Sequence, residues 1–177
     1  NKTIEMYDID PKCDGAIKRD TLKNPPDYKN KFVLTNPPYL ARNKNKNKEL
    51  YDLYDCNDLY KCFIITLINN VSLGGIIIVP LNFLCSIRKA DIELRKKFLE
   101  VYHIHMVNIF EERVFKDTSY SVCSIYFIRK TKSSTSEFTT FIYPEKKMIK
   151  LSLSEENNYT IGGEIYKLPQ NKSITIK

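Results

Sequence analysis

The sequence predicts an α/β fold on a mostly parallel sheet with an antiparallel pair at one edge. Three observations lead there. Short apolar runs alternate with segments whose apolar residues recur at helical spacing, which is the pattern of βαβ units. The runs KFVLT and IIIVP carry unbroken apolar stretches, FVL and IIIV, as strands covered on both faces do. The runs HIHMVNIF and SVCSIYFIRK are joined by a connection too short for a crossover helix, so they should pair antiparallel.

Each element follows in order. TIEMYDI, from Thr3 to Ile9, reads as a short strand. Asp10-Pro11 then has the form of an N-cap followed by proline at the first helical position and predicts a brief helix. KFVLT, Lys31 to Thr35, is a second strand, short enough to be buried on both faces. CNDLYKCFIITLINNV places Leu59, Phe63, Leu67 and Asn70 or Val71 on one helical face, and Gly74-Gly75 is expected to stop that helix. IIIVP is a third strand, ADIELRKKFLE a helix with a charged outer face, and the two antiparallel strands follow. After Lys130 comes a polar stretch, KTKSSTSE, and then the short strand-like pieces FTTFIY, EIYKL and SITIK. Residues 1–132 therefore read as one α/β domain and 133–177 as a linker and the start of a β-rich region.

Composition narrows the function. A chain of 177 residues with 42% hydrophobic content fits one domain or slightly more. A formal charge of +7 and a pI near 9.0 favour an anionic partner, nucleic acid first. No basic amphipathic helix supports a membrane surface instead. The longest apolar run, GGIIIVPLNFLC, is too short to span a bilayer and is broken by Pro80 and Asn82. Five cysteines (Cys13, Cys56, Cys62, Cys85 and Cys123) form no CxxC pair, which predicts buried thiols in a reduced cytoplasmic compartment and no zinc site. His103 and His105 share a strand face without a cysteine or carboxylate at ligand spacing, so no metal is expected.

Two Asn-Pro-Pro triplets stand out. Asn24-Pro25-Pro26 lies in a polar segment and reads as a loop. Asn36-Pro37-Pro38-Tyr39 directly follows an apolar strand, and in open parallel sheets the carboxyl ends of strands are where ligands bind. The second triplet is the candidate site. A conjugated amino group, such as that of adenine, is a poor nucleophile because its lone pair is delocalised. The Asn36 side-chain carbonyl and the Pro37 backbone carbonyl could each accept one of its N–H bonds, favouring a tetrahedral nitrogen with its lone pair exposed. The prolines stiffen the loop and add no N–H donor, and Tyr39 can stack on a base.

With these residues in view, the chain resembles the S-adenosylmethionine-dependent amino-methyltransferases, and within them the gamma-class adenine-specific DNA methyltransferases of restriction-modification systems. MYDIDP resembles the strand motif whose acid, here Asp8, holds the cofactor ribose. Asp20 in IKRDTL resembles the acid that contacts the cofactor adenine, and TNPPY is the catalytic motif. VFKDTSYS resembles the segment that packs an extruded base, which makes Phe115 a pocket wall. The resemblance spans Thr3 to Lys130 and implies a Rossmann-like methyltransferase sheet, S-adenosylmethionine as cofactor and double-stranded DNA with a flipped adenine as substrate. It also places a first strand and a glycine-rich cofactor loop before Asn1. The chain is thus expected to be part of a larger enzyme, with a sheet lacking its central strand, a cleft beside Thr35, and Asp8, Asp20 and Asn36 along one rim. Tyr159-Thr160-Ile161-Gly162-Gly163 stands in the wrong order to be that loop.

Plainer readings stand beside these. Asn36 could belong to a structural turn, Asp8 could be a solvated strand end, Asp20 a loop carboxylate, and Phe115 ordinary core. Asp10 caps a helix in this reading. The basic run RNKNKNK, with Arg42, Lys44, Lys46 and Lys48, either tracks DNA phosphates or is a flexible solvated loop. Methylation of a protein glutamine or an RNA guanine would keep the site and change the substrate. A degenerate, inactive DNA-binding module is the non-enzymatic alternative. No nuclease constellation of paired carboxylates with a lysine is present.

Overall fold

A computed structural model describes residues 3–116 and 120–164. Among the described residues are eight strands: β1 (Met6–Asp8), β2 (Ala16–Lys18), β3 (Phe32–Thr35), β4 (Gly74–Pro80), β5 (Tyr102–Phe110), β6 (Val122–Arg129), β7 (Glu137–Tyr143) and β8 (Lys147–Ser152). The α-helices are α1 (Glu49–Leu53), α2 (Leu59–Asn69), α3 (Asn82–Cys85) and α4 (Lys89–Val101). β1 and β2 pair in parallel as a separate two-stranded sheet. The other six form one sheet in the order β3-β4-β6-β5-β7-β8.

Pairing directions show a mostly parallel sheet. β3 runs with β4, β6 runs against both β4 and β5, β7 runs with β5, and β8 runs against β7. Four strands therefore point one way, and only β6 and β8 oppose them. The short β5–β6 connection does produce an antiparallel pair, but it lies inside the sheet. The antiparallel pair at the edge is β7–β8, because Phe138 and Leu153 contribute to the main core and draw residues 137–152 onto the same sheet. The region after the polar stretch thus continues the sheet. The strands read at EIYKL and SITIK lie outside the described residues apart from Glu164.

The main core covers one face of this sheet. Ile77 and Val79 of β4, Ile125 and Phe127 of β6 and Val107 of β5 point into it, meeting Tyr60, Ile64 and Leu67 of α2 and Phe98 of α4. Gly75 is required at its position, since a Cβ there would lie 2.4 Å from the Val33 carbonyl oxygen and 2.7 Å from the Phe127 ring. The two glycines accordingly open β4, while α2 has already ended at Asn69. A buried polar cluster holds the helices together. Lys61 pairs with Asp91, Ser86 donates to the second Asp91 oxygen, and Arg95, fully buried, donates to the carbonyls of Phe83, Ser86 and Tyr159 and to the Thr160 hydroxyl. Thr160 and its neighbours are thus a structural strap, with Ile161 N–H donating to Leu84 O at 3.0 Å.

Two local expectations fail. No helix follows Asp10-Pro11: the Asp10 amide donates to Asp8 Oδ1 at 2.7 Å, and Gly15 at φ +83° turns the chain directly into β2. The seven residues between β1 and β2 must reverse and return in parallel, which leaves no room for a capped helix. KFVLT is not buried on both faces either. Phe32 and Leu34 are 55% and 75% exposed because β3 pairs only with β4 and its outer edge carries no strand among the described residues. Among the described residues β1–β2 and the six-stranded sheet share no strand pairing.

Candidate active site

The chain leaves β3 at Thr35 and enters Asn36-Pro37-Pro38-Tyr39 as an extended loop. Pro37 is buried and anchors the loop, Asn36 and Pro38 are exposed, and Tyr39 is half-buried. Beyond the tetrad the backbone is clasped by α1 and by the chain entering α2. Leu59 N–H donates to Leu40 O at 3.1 Å, Arg42 N–H to Asn57 O at 2.9 Å, and the Tyr51 hydroxyl to Leu40 O at 2.9 Å. Both ends of the tetrad are fixed, so Asn36 sits on a preorganised platform.

Tyr39 is held edge-on by two rings, with Tyr60 at 6.4 Å and Phe115 at 6.2 Å. Burial pushes its hydroxyl pKa up to about 12, so it stays protonated and donates to Asn36 Oδ1 at 3.2 Å. Phe115 reaches the tetrad from the β5–β6 connection. Residues 117–119 of that segment lie outside the described residues. Tyr60 escaped the sequence reading. Its signal was its place in the first turn of α2, just before the apolar residues that face the core.

The other triplet is engaged differently. Arg19 Nε donates to Asn24 O at 2.7 Å, and one terminal nitrogen reaches Asn24 Oδ1 at 3.2 Å and Pro25 O at 2.9 Å. The carbonyls that a substrate would need are occupied by a guanidinium. This triplet is a clamped loop.

Asp8 ends β1, and Asp20 follows β2 by two residues. Two contacts set the relative direction of the small sheet. Lys31 and Glu5 pair at 2.7 Å beside the amino ends of β3 and β1. Beyond Asp20, the Tyr54 hydroxyl donates to Leu22 O at 2.5 Å, and Leu22 packs with Tyr51, Leu59 and Cys62. The carboxyl end of β2 is therefore tied to the helices that follow the tetrad, and Asp8, Asp20 and Asn36 all lie toward the same end of their strands. Asp20 Oδ1 accepts from the amides of Leu22 and Lys23 at 3.0 and 3.1 Å, which orients its carboxylate, while Asp8 is exposed.

The basic run is more ordered than a flexible loop. Arg42–Lys44 form a 3-10 turn, Arg42 pairs with Asp52 at 2.6 Å, and the Lys48 ammonium is folded back onto the Arg42 and Asn45 carbonyls. Lys44 and Lys46 are exposed and point outward from this frame. Among the described residues no cluster of His, Cys, Asp and Glu could hold a metal ion. Nor is any helix there long and apolar enough to cross a membrane.

A family model for N-6 DNA methylases matches residues 3–168. The chain belongs to the N-6 DNA methylase family. No curated protein sequence matches it. Among solved structures, the N-6 DNA methylase chain is similar to a modification subunit of a putative type I restriction enzyme from Vibrio vulnificus, with a TM-score of 0.60, 16% identity, and coverage of 84% of this chain and 40% of that one. It is also similar to the methyltransferase subunit of a type I restriction-modification system from Streptococcus thermophilus, with a TM-score of 0.51, 18% identity, and coverage of 72% and 30%. A third similar structure is a putative class I S-adenosylmethionine-dependent methyltransferase from Listeria monocytogenes, with a TM-score of 0.53, 16% identity, and coverage of 72% and 41%. At these identities the likeness shows a shared methyltransferase fold. The chain spans less than half the length of each.

Proposed function

We propose that this chain forms the substrate-side part of an S-adenosylmethionine-dependent methyltransferase acting on the amino group of adenine in DNA, within a restriction-modification system. The observation that carries the reading is the Asn36–Tyr39 platform at the carboxyl end of β3, fixed at both ends and walled by Tyr60 and Phe115. Asn36 Oδ1 and the Pro37 carbonyl accept the two amino hydrogens and turn the nitrogen lone pair outward. Tyr39 and Phe115 provide the aromatic surfaces against which a planar base, extruded from the duplex, is held.

The donor set suits the cofactor. Asp8, exposed at a strand end, matches a pair of ribose hydroxyls, and the oriented carboxylate of Asp20 matches an adenine amino group. S-adenosylmethionine supplies an electrophilic methyl group when bound. This chain's residues hold and orient what receives it. Lys44 and Lys46 contact DNA phosphates, and a segment outside residues 1–177 supplies the strand beside β3 and the glycine-rich loop. A target-recognition region beyond β8 and a cytoplasmic setting complete the proposal.

The test is product identity. The intact protein, given methyl-labelled cofactor and offered plasmid DNA, ribosomal RNA and a release-factor protein in parallel, should label the DNA alone, at adenine. Label on a protein glutamine or an RNA guanine would replace the substrate assignment. Absence of label from all three substrates, with cofactor bound, would favour an inactive module.

A further inference from the structure

Away from the tetrad, Cys56 and Cys62 bring their sulfurs to 2.8 Å, between a covalent S–S bond of about 2.05 Å and an ordinary non-bonded contact. We propose that Cys56 and Cys62 form an oxidant-reactive dithiol that closes to a disulfide on exposure to a small peroxide. The assignment is independent of the methyltransferase reading.

The fold builds this approach deliberately at one point. α1 ends at Leu53, Asp55 adopts φ +47°, and the Cys56 amide donates to Tyr51 O at 3.0 Å, so the chain reverses and lays Cys56 over the first turn of α2. Cys62 projects from that turn and is fully buried beside Leu22, Tyr51 and Leu59. Cys56 is partly buried and Cys62 fully buried, so Cys56 is the more open of the two to a small oxidant. The two thiols therefore have distinct roles, one to meet the oxidant and one to resolve it.

Electrostatics support the same division. The Cys62 thiol, donating toward Cys56, holds the Cys56 pKa below the usual thiol range, while the neighbouring sulfur and burial push Cys62 up. A lowered pKa raises the thiolate fraction, and the thiolate is the nucleophile. The Cys56 thiolate attacks one peroxide oxygen, the O–O bond breaks, and the departing hydroxide takes up a proton to become water. The resulting Cys56 sulfenic acid is attacked by the Cys62 sulfur, forming S–S and breaking S–O. The Cys62 proton leaves with the hydroxyl as a second water. Two thiols and one peroxide thus give one disulfide and two waters.

The test uses the intact protein treated with stoichiometric hydrogen peroxide, denatured in N-ethylmaleimide, digested and mapped. A linked peptide pair containing Cys56 and Cys62 should appear, both positions should lose alkylation together, and dithiothreitol should restore both. Cys85 and Cys123 should stay alkylated. In Cys62→Ser, Cys56 should stop at the sulfenic acid and be trapped by dimedone, whereas in Cys56→Ser the Cys62 thiol should resist peroxide. Full alkylation of both cysteines in the oxidised parent protein, or Cys56 linked instead to Cys13, would overturn the proposal. The parent measurement stands even if a variant fails to fold.

Discussion

The Tyr39 hydroxyl donates to Asn36 Oδ1 across 3.2 Å, joining the two polar side chains of the tetrad before any substrate arrives. An amide oxygen has two lone pairs, so this bond orients the Asn36 carbonyl and still leaves it able to accept from an amino group. The ring and the hydroxyl of Tyr39 therefore do separable things.

Tyr39→Phe should keep the aromatic surface and lose only the orienting bond. A net hydrogen bond of about 0.5–1.5 kcal/mol corresponds to a roughly twofold to tenfold loss in turnover. Tyr39→Ala should instead raise KM for DNA strongly, because the surface for the extruded base is gone. Steady-state methylation of an oligonucleotide separates the two. Equal damage from both substitutions would mean that the hydroxyl, and not the ring, carries the role.

The order in the basic run divides its residues into two kinds. Lys44→Gln with Lys46→Gln should flatten the salt dependence of DNA binding by about 0.9 per lost phosphate contact, or roughly 2 for the pair, without harming the fold. Lys48→Gln should act on the loop, because its ammonium holds the Arg42 and Asn45 carbonyls. Binding titrations at several salt concentrations decide this. An unchanged slope in the double variant would return Lys44 and Lys46 to a solvated surface.

The buried Lys61–Asp91 pair predicts a stability effect with a definite pH signature. Burial opposes ionisation of Asp91, but the hydrogen bonds from Lys61 and Ser86 outweigh it and hold its pKa below the ordinary 3.8. A depressed folded pKa contributes stability above 3.8 that is lost as pH falls through the folded value. Lys61→Ala strands a buried carboxylate and should cost about 3–5 kcal/mol. Urea midpoints measured at neutral pH and in the acid range should show the Lys61→Ala deficit shrinking as Asp91 becomes protonated. A deficit constant across that range would place the loss in packing alone.

Much of this was legible in the sequence because the strongest signals were local. The period of Leu59 to Leu67 and the unbroken IIIVP run fixed α2 and β4, and the position of Asn36 after an apolar strand distinguished it from Asn24. What failed depended on partners that local pattern does not contain. The Asp10-Pro11 pair has the form of a helix start, but the short return into β2 leaves no length for a helix. The apolar content of KFVLT suggested burial, yet burial requires cover over both faces, and Phe32 and Leu34 stay exposed on the edge strand even with the Tyr126 ring 5.9 Å from that of Phe32. The polar stretch after Lys130 looked like a boundary, whereas parallel pairing with β5 returned β7 to the same sheet. Arg19 was invisible because its role is a set of contacts with the loop that follows it, and Tyr60 left only its place in the first turn of α2 as a trace.

The most direct test of the account compares Asn36→Ala with Asn24→Ala in the intact protein, measuring adenine methylation, cofactor binding and DNA binding together. Asn36→Ala should lower turnover by on the order of a hundredfold or more, because it removes one preorganised acceptor from the transition state. Cofactor affinity should survive, since Asp8 and Asp20 are assigned to it, and DNA affinity should change little, since phosphates dominate it. Asn24→Ala loosens a loop held by Arg19 and should leave turnover within about threefold of the parent, the scale of one net hydrogen bond. Parent-like methylation in Asn36→Ala, or a collapse of turnover in a folded Asn24→Ala, would contradict the assignment of the site.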